Sequence, residues 1–289
     1  MSIQYISYLF IINLFLFAND NIYDIKSSPR NRSLGGMHVL TNDISSIFDS
    51  PNKFDSKPND FFISYNSIFN LLNIYHFTYC IQSNKKMNLS FGIVRREIGN
   101  NYNTNSAWNE DGYPDLSEID YSKINNFYDQ ETGFLISYNK IEEDFILGIN
   151  FKPNFHSINK TSSIGFQMDL RYLFLGKKYN ILLGLDNLLS IKKWDTGYSE
   201  KDNPLLFISN QYKITNSLLL FCEFDSDENN KLGIEYIFKN LSFSSGLNNR
   251  EVAFGFGIKL DSMNINYSII NSKNKILENS HSIGFIFNF

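Results

Sequence analysis

Cysteine, tryptophan and long apolar runs are all scarce in this 289-residue chain. There are two cysteines, Cys80 and Cys222, which excludes a disulfide-stapled scaffold. By the alternation described below they point to opposite faces of the chain, so a bridge between them is not expected. The four histidines, at 38, 76, 156 and 281, stand in unrelated segments, and none forms a pair at metal-ligand spacing. No nucleophile-base set and no phosphate loop stands out, so neither enzyme activity nor a metal or cofactor is expected. A formal net charge of -4 argues against a general nucleic-acid binder. Beyond the N-terminus no segment approaches the roughly 20 apolar residues that a spanning helix needs, so any membrane residence must come from strands.

The N-terminus has an apolar stretch from Tyr5 to Phe17, with Ala18 as a small residue at a cleavage site. No Lys or Arg precedes it, and it is too short for a spanning anchor, so it reads as an exported signal peptide over 1–18.

What the chain has is rings. Aromatics make up 16% of its residues, with 27 Phe and 17 Tyr, yet mean hydropathy is slightly negative. The last nine residues show how both can hold. Ile283, Phe285, Phe287 and Phe289 fall on one face of a strand, while Ser282, Gly284, Ile286 and Asn288 fall on the other. About fourteen such segments follow one another from Asp60 to the end, the clearest running from Ser163 to Tyr172. An apolar face repeated on every strand, opposite a small or polar one, fits a transmembrane antiparallel β-barrel with lipid outside and a polar lumen.

The connections agree. Tight joins, as at Asn84-Lys85, Gly176-Lys177 and Asp261-Ser262, alternate with joins that include the long ones at 98–128, 154–160, 190–202 and 272–279. That rhythm predicts a bacterial outer-membrane barrel over 59–289 with both ends of the mature chain on the periplasmic side. Residues 19–58 lack sustained alternation, contain Pro51 and Pro58, and offer Asn42 or Asp43 as the cap of a short helix through Phe48. They read as a small hatch or plug. Fourteen strands give a lumen too wide for the wall's own side chains to fill, so a plug is physically useful.

Several motifs resemble the PorV/PorQ family of outer-membrane proteins, relatives of the FadL-like channels. Arg32-Ser-Leu-Gly-Gly-Met, Asn42-Asp-Ile-Ser-Ser-Ile-Phe and Ser50-Pro-Asn look like that family's opening. Leu232-Gly-Ile-Glu-Tyr, Phe254-Gly-Phe-Gly-Ile-Lys and the terminal Ser282-Ile-Gly-Phe-Ile-Phe-Asn-Phe look like its closing strands. Ser50-Pro-Asn departs from the family's Asn-Pro-Ala. The resemblance implies a fourteen-stranded barrel with a hatch. It also implies a role in protein secretion or surface attachment, with secretion components or exported proteins as partners. The FadL relation implies instead passive uptake of a small hydrophobic molecule. The terminal Phe289 resembles the signal read by the barrel-assembly machinery.

The alternation places Arg96, Lys152, Asp169, Arg171, Asp186, Glu223, Glu235 and Lys259 in the lumen. Their mixed signs could line a polar pathway or clamp the hatch, but fit better a mutually neutralising network that solvates the interior, within which Arg32 would meet Asp169, Asp186 or Glu235. Trp108 and Tyr113 in the acidic loop after Ile98, and Trp194 and Tyr198 in a second loop, are candidates for contacts at the outer rim. The acidic loop lacks the spacing of a calcium site.

Overall fold

The computed structural model describes residues 21–38, 43–51, 59–104, 107, 120–249, 251–272, 274 and 276–288. The signal segment, Trp108, Tyr113 and Phe289 lie outside them.

Fifteen strands follow in chain order: β1 Phe61–Ile68, β2 Leu72–Ser83, β3 Met87–Asn103, β4 Asn125–Ile141, β5 Phe145–Ile158, β6 Thr161–Leu175, β7 Tyr179–Trp194, β8 Ser199–Glu200, β9 Leu205–Lys213, β10 Leu218–Asp225, β11 Asn230–Phe238, β12 Leu241–Leu247, β13 Val252–Lys259, β14 Met263–Asn271 and β15 Ser280–Phe287. β8 is a two-residue rung on β7. The other fourteen form a closed antiparallel ring, in which β15 returns to β1 from Phe61 opposite Phe287 to Ser67 opposite His281. Closure leaves no edge, so every strand can satisfy its backbone within the wall.

The alternation read from the sequence is the one that forms. On β2, Tyr75 and Phe77 face outward and are exposed, whereas His76, Thr78 and Cys80 face inward and are buried. Rings meet across strands on the outer face: Phe61 stacks on Phe287 at 4.6 Å, and Tyr65 lies 5.4 Å from Tyr75. Cys80 is buried and Cys222 partly so, and the two are not bridged.

Four strands run longer than the hydrophobic pattern suggests. β3 and β4 continue to Asn103 and from Asn125, β7 continues to Trp194, and β5 continues to Ile158, so the long join expected at 154–160 is instead a tight turn at Asn159-Lys160. These extensions carry Asn, Ser, His and Lys because beyond an apolar belt no apolar face is required, while the backbone ladder continues. β7 also holds a bulge opposite Met168 and Leu170, with Asn187 at φ 57. Two successive residues, Asp186 and Asn187, therefore turn into the barrel, which strict alternation does not predict.

The start of β1 and the end of β15 share one rim, the near rim. The turns after β1, β5, β10 and β12 lie on the far rim. The lumen is less polar than expected: Phe62, Ile74, Leu135, Ile146, Leu182 and Phe207 are all fully or almost fully buried. Most of these inward apolar residues pack against a segment that lies inside the barrel.

Ile234 occupies the middle of β11 and is 44% exposed on the outer face. Ile234→Lys should cost about 2–4 kcal/mol of folding stability in lipid vesicles, measured by reversible urea unfolding.

Candidate functional site

Residues 21–38 and 43–51 pack against the inner face of the wall, and this stretch is called the hatch below. Its single α-helix, α1, spans Pro29–Ser33, with Pro at the first turn where its missing N–H costs nothing. Gly35 and Gly36 then take φ +84 and +73, the left-handed region that ends a helix, and the Gly36 N–H donates to the Asn31 carbonyl at 3.0 Å. The second helical element is one 3₁₀ turn, Ile44–Ser46, capped by Asp43, whose side chain accepts from the Ser45 N–H at 2.9 Å. The sequence pointed to this cap but to a longer helix.

Two apolar clusters seat the hatch. Ile22, Tyr23, Ile44, Ile47 and Phe48 pack with Phe62, Ile74, Cys80, Val94, Leu135 and Ile286 of the wall. Leu34 and Met37 pack with Leu219 and Phe221. α1 lies against β12 to β15, whose inner faces are mostly small. A side chain on Gly246 would overlap the Leu34–Gly35 backbone, and the Ser33 hydroxyl lies 2.5 Å from that of Ser244.

On the opposite side the hatch is clamped by charge. Arg171 reaches Asp186 at 2.8 Å and Asp169 at 3.0 Å, and donates through Nη1 to the Phe48 carbonyl at 2.8 Å. Lys152 pairs with Asp169. His38 lies between two carboxylates, with Nε2 3.1 Å from Asp186 and Nδ1 3.1 Å from Glu223, and its ring stacks on Phe207 at 3.7 Å. Its backbone N–H donates to Glu223 at 2.7 Å. Glu223 also holds Lys231 at 2.7 Å, and Lys231 donates to the Gly36 carbonyl at 3.2 Å. Lys26 approaches His38 at 2.7 Å and Asp49 at 3.8 Å; burial pushes its ammonium below the usual lysine range, and Asp49 pulls the other way.

Arg30, not Arg32, meets Glu235, in a two-pronged contact of 2.6 Å on each branch. The two arginines are two positions apart on a helix, about 200° around its axis, so when one faces β11 the other must face away. Arg32 makes none of the expected contacts with Asp169, Asp186 or Glu235. Arg96 belongs to a separate cluster near the far rim. It contacts Glu131 at 2.9 Å, Lys192 also holds Glu131 at 3.0 Å, and His156 meets Asp129 at 2.7 Å. Lys192 lies over the Trp194 ring at 5.7 Å, and the indole N–H donates to Glu200 at 2.8 Å. Trp194 is thus part of a packed rim structure, while Tyr198 is 64% exposed. Lys259 is exposed at the near mouth, where it lines a cavity of about 380 Å³ with Glu235 and Asp43.

The sequence did not single out Lys26, Arg30, His38, Glu131, Lys192 or Lys231. Glu131 was findable, because it is in phase with the inward Gly133 and Leu135. The hatch residues were not, because an irregular segment has no period to show which way a side chain points. Among the described residues no group of His, Cys, Asp and Glu could hold a metal ion.

Arg171→Met would strand Asp169 and Asp186 as partly uncompensated buried charges and should destabilise the protein by about 3–5 kcal/mol in urea unfolding. Gly246→Ala should leave the barrel's heat-modifiable gel mobility intact while raising hydrogen exchange in residues 29–37.

No protein-family model and no curated protein matches the chain. Solved structures do match. The Pseudomonas putida toluene transporter TodX superposes with a TM-score of 0.68 at 10% identity, covering 93% of this chain and 100% of that one. The TodX deltaS2S3 mutant, a monoaromatic hydrocarbon channel, gives 0.70 at 10% identity, covering 92% and 100%. The PorV/PorQ assignment finds no support in these comparisons. What they share with this chain is the fold, a closed antiparallel β-barrel.

Proposed function

We propose that the protein is an outer-membrane channel for passive uptake of small hydrophobic molecules, gated by its N-terminal hatch, with the near rim toward the periplasm. The observation that carries this reading is a thin place in the wall. Leu220, Cys222, Leu232, Ile234, Leu247 and Val252 line an apolar groove of about 490 Å³ on the outer face. Directly behind it, on the inside, Leu34 and Met37 of the hatch cover Gly233, and the Leu34–Gly35 backbone covers Gly246. Only glycine backbone separates hatch from lipid there. A hatch that shifts would expose apolar surface on a path between lumen and membrane, and a hydrophobic solute needs no energy source to follow it. The likeness to a toluene transporter supports the same reading.

The role in protein secretion or surface attachment, implied by the PorV/PorQ motifs, needs a partner surface at a rim. Neither reading needs a catalytic residue.

Ser33→Cys with Ser244→Cys, in a chain whose Cys80 and Cys222 are replaced by serine, should form a disulfide that pins the hatch. Toluene flux into proteoliposomes should then fall to the level of empty liposomes and recover on reduction. Flux that is absent from the unmodified protein, or unchanged by the lock, would remove the uptake reading.

A further inference from the structure

Arg32 is a hatch cation that the clamp does not use. Only 5% of its surface is exposed, yet its guanidinium has no hydrogen bond or ion pair among the described residues, and its Nε is fully buried without a partner. Burial pushes its pKa down to about 10, so the group keeps its charge at neutral pH. A buried cation whose donors lack hydrogen-bond partners is costly, and Glu251 of the neighbouring wall offsets its charge only through space.

Arg32 borders a cavity of about 680 Å³ beneath the far rim, between the hatch and the turns after β10 and β12. That volume is of the size that holds a small organic molecule. Lys26 and Lys231 reach the same space, but they are engaged by Asp49 and Glu223. Three carboxylates, Asp24, Asp227 and Glu251, also border it, so its walls present charge of both signs. Ile68, Phe69 and Ile270 supply an apolar side.

We propose that this cavity binds a small zwitterion of the amino-acid class, with its carboxylate on Arg32, its ammonium toward the acidic wall and an apolar side chain against Ile68, Phe69 and Ile270. A planar guanidinium offers two parallel N–H donors to a carboxylate, which a point cation would not. The cavity is closed toward the near rim by the hatch itself, so the ligand binds to the seated hatch. The proposal does not rest on the uptake reading: binding can persist where toluene flux fails, and the reverse.

The full-length protein, purified in detergent, is titrated calorimetrically with phenylalanine, with 3-phenylpropionate, which lacks the ammonium, with phenethylamine, which lacks the carboxylate, and with inorganic phosphate. Phenylalanine should bind one to one and more tightly than the other three. Arg32→Gln should weaken it by about tenfold or more, and Arg32→Lys should weaken it less. Retained heat-modifiable mobility shows that the variants are folded; should Arg32→Gln fail that check, the four ligands on the unaltered protein decide. Absence of phenylalanine binding, equal binding by a folded Arg32→Gln, or equal or tighter binding of 3-phenylpropionate, phenethylamine or phosphate would overturn the proposal.

Discussion

Hydrocarbon offers no hydrogen-bond partner, so each amide in the wall must be satisfied by a neighbouring strand, and the sheet must close on itself. The pairing of β1 with β15 meets this requirement, and much else follows from it. A ring of fourteen strands is too wide for its own side chains to fill. The interior then needs a separate body, and the chain's N-terminal segment supplies it. The inward face of the wall is shaped by that body: large apolar residues where Phe48 and Tyr23 dock, small ones where α1 lies, and charges where the hatch brings its own.

The two sides of this seat work by different physics. Against β12 to β15 the hatch is held by fit, with backbone close to glycine and hydroxyl close to hydroxyl. Against β5 to β7 and β10 it is held by charge, through Arg171, Asp186, His38 and Glu223. Buried ion pairs contribute little net stability, because desolvation offsets most of the attraction, but they strongly penalise a misplaced partner. Such a clamp fixes where the hatch sits more than how tightly it is held.

The wall was legible in the sequence because a strand in a barrel has only two directions for a side chain, and lipid demands one class of residue on one of them. Even β9 and β12, whose alternation is weak, were recovered because their neighbours fix the register. Asp169, Arg171, Asp186 and Glu235 could be placed in the lumen on that ground alone. What faces them could not. Exchanging Arg32 for Arg30 as the partner of Glu235 is a miss of two residues in sequence but half a turn in direction. His38, which touches both Asp186 and Glu223, sits in a stretch where no periodicity points anywhere. The inner apolar patches were likewise hidden, since the residues that make them useful belong to the hatch and lie far away in the chain. The family motifs pointed to the right architecture and to a subfamily that the structural comparisons leave unsupported.

Cys80 is wholly buried in the cluster that joins the hatch to β1, β2, β3 and β4. A thiol reacts only when reagent can reach it, and here Ile44, Ile47 and Phe48 belong to the same packed cluster. The protein therefore carries its own chemical clock: the rate at which Cys80 takes up a water-soluble alkylating reagent measures how often the hatch leaves its seat, with no label added to the moving part.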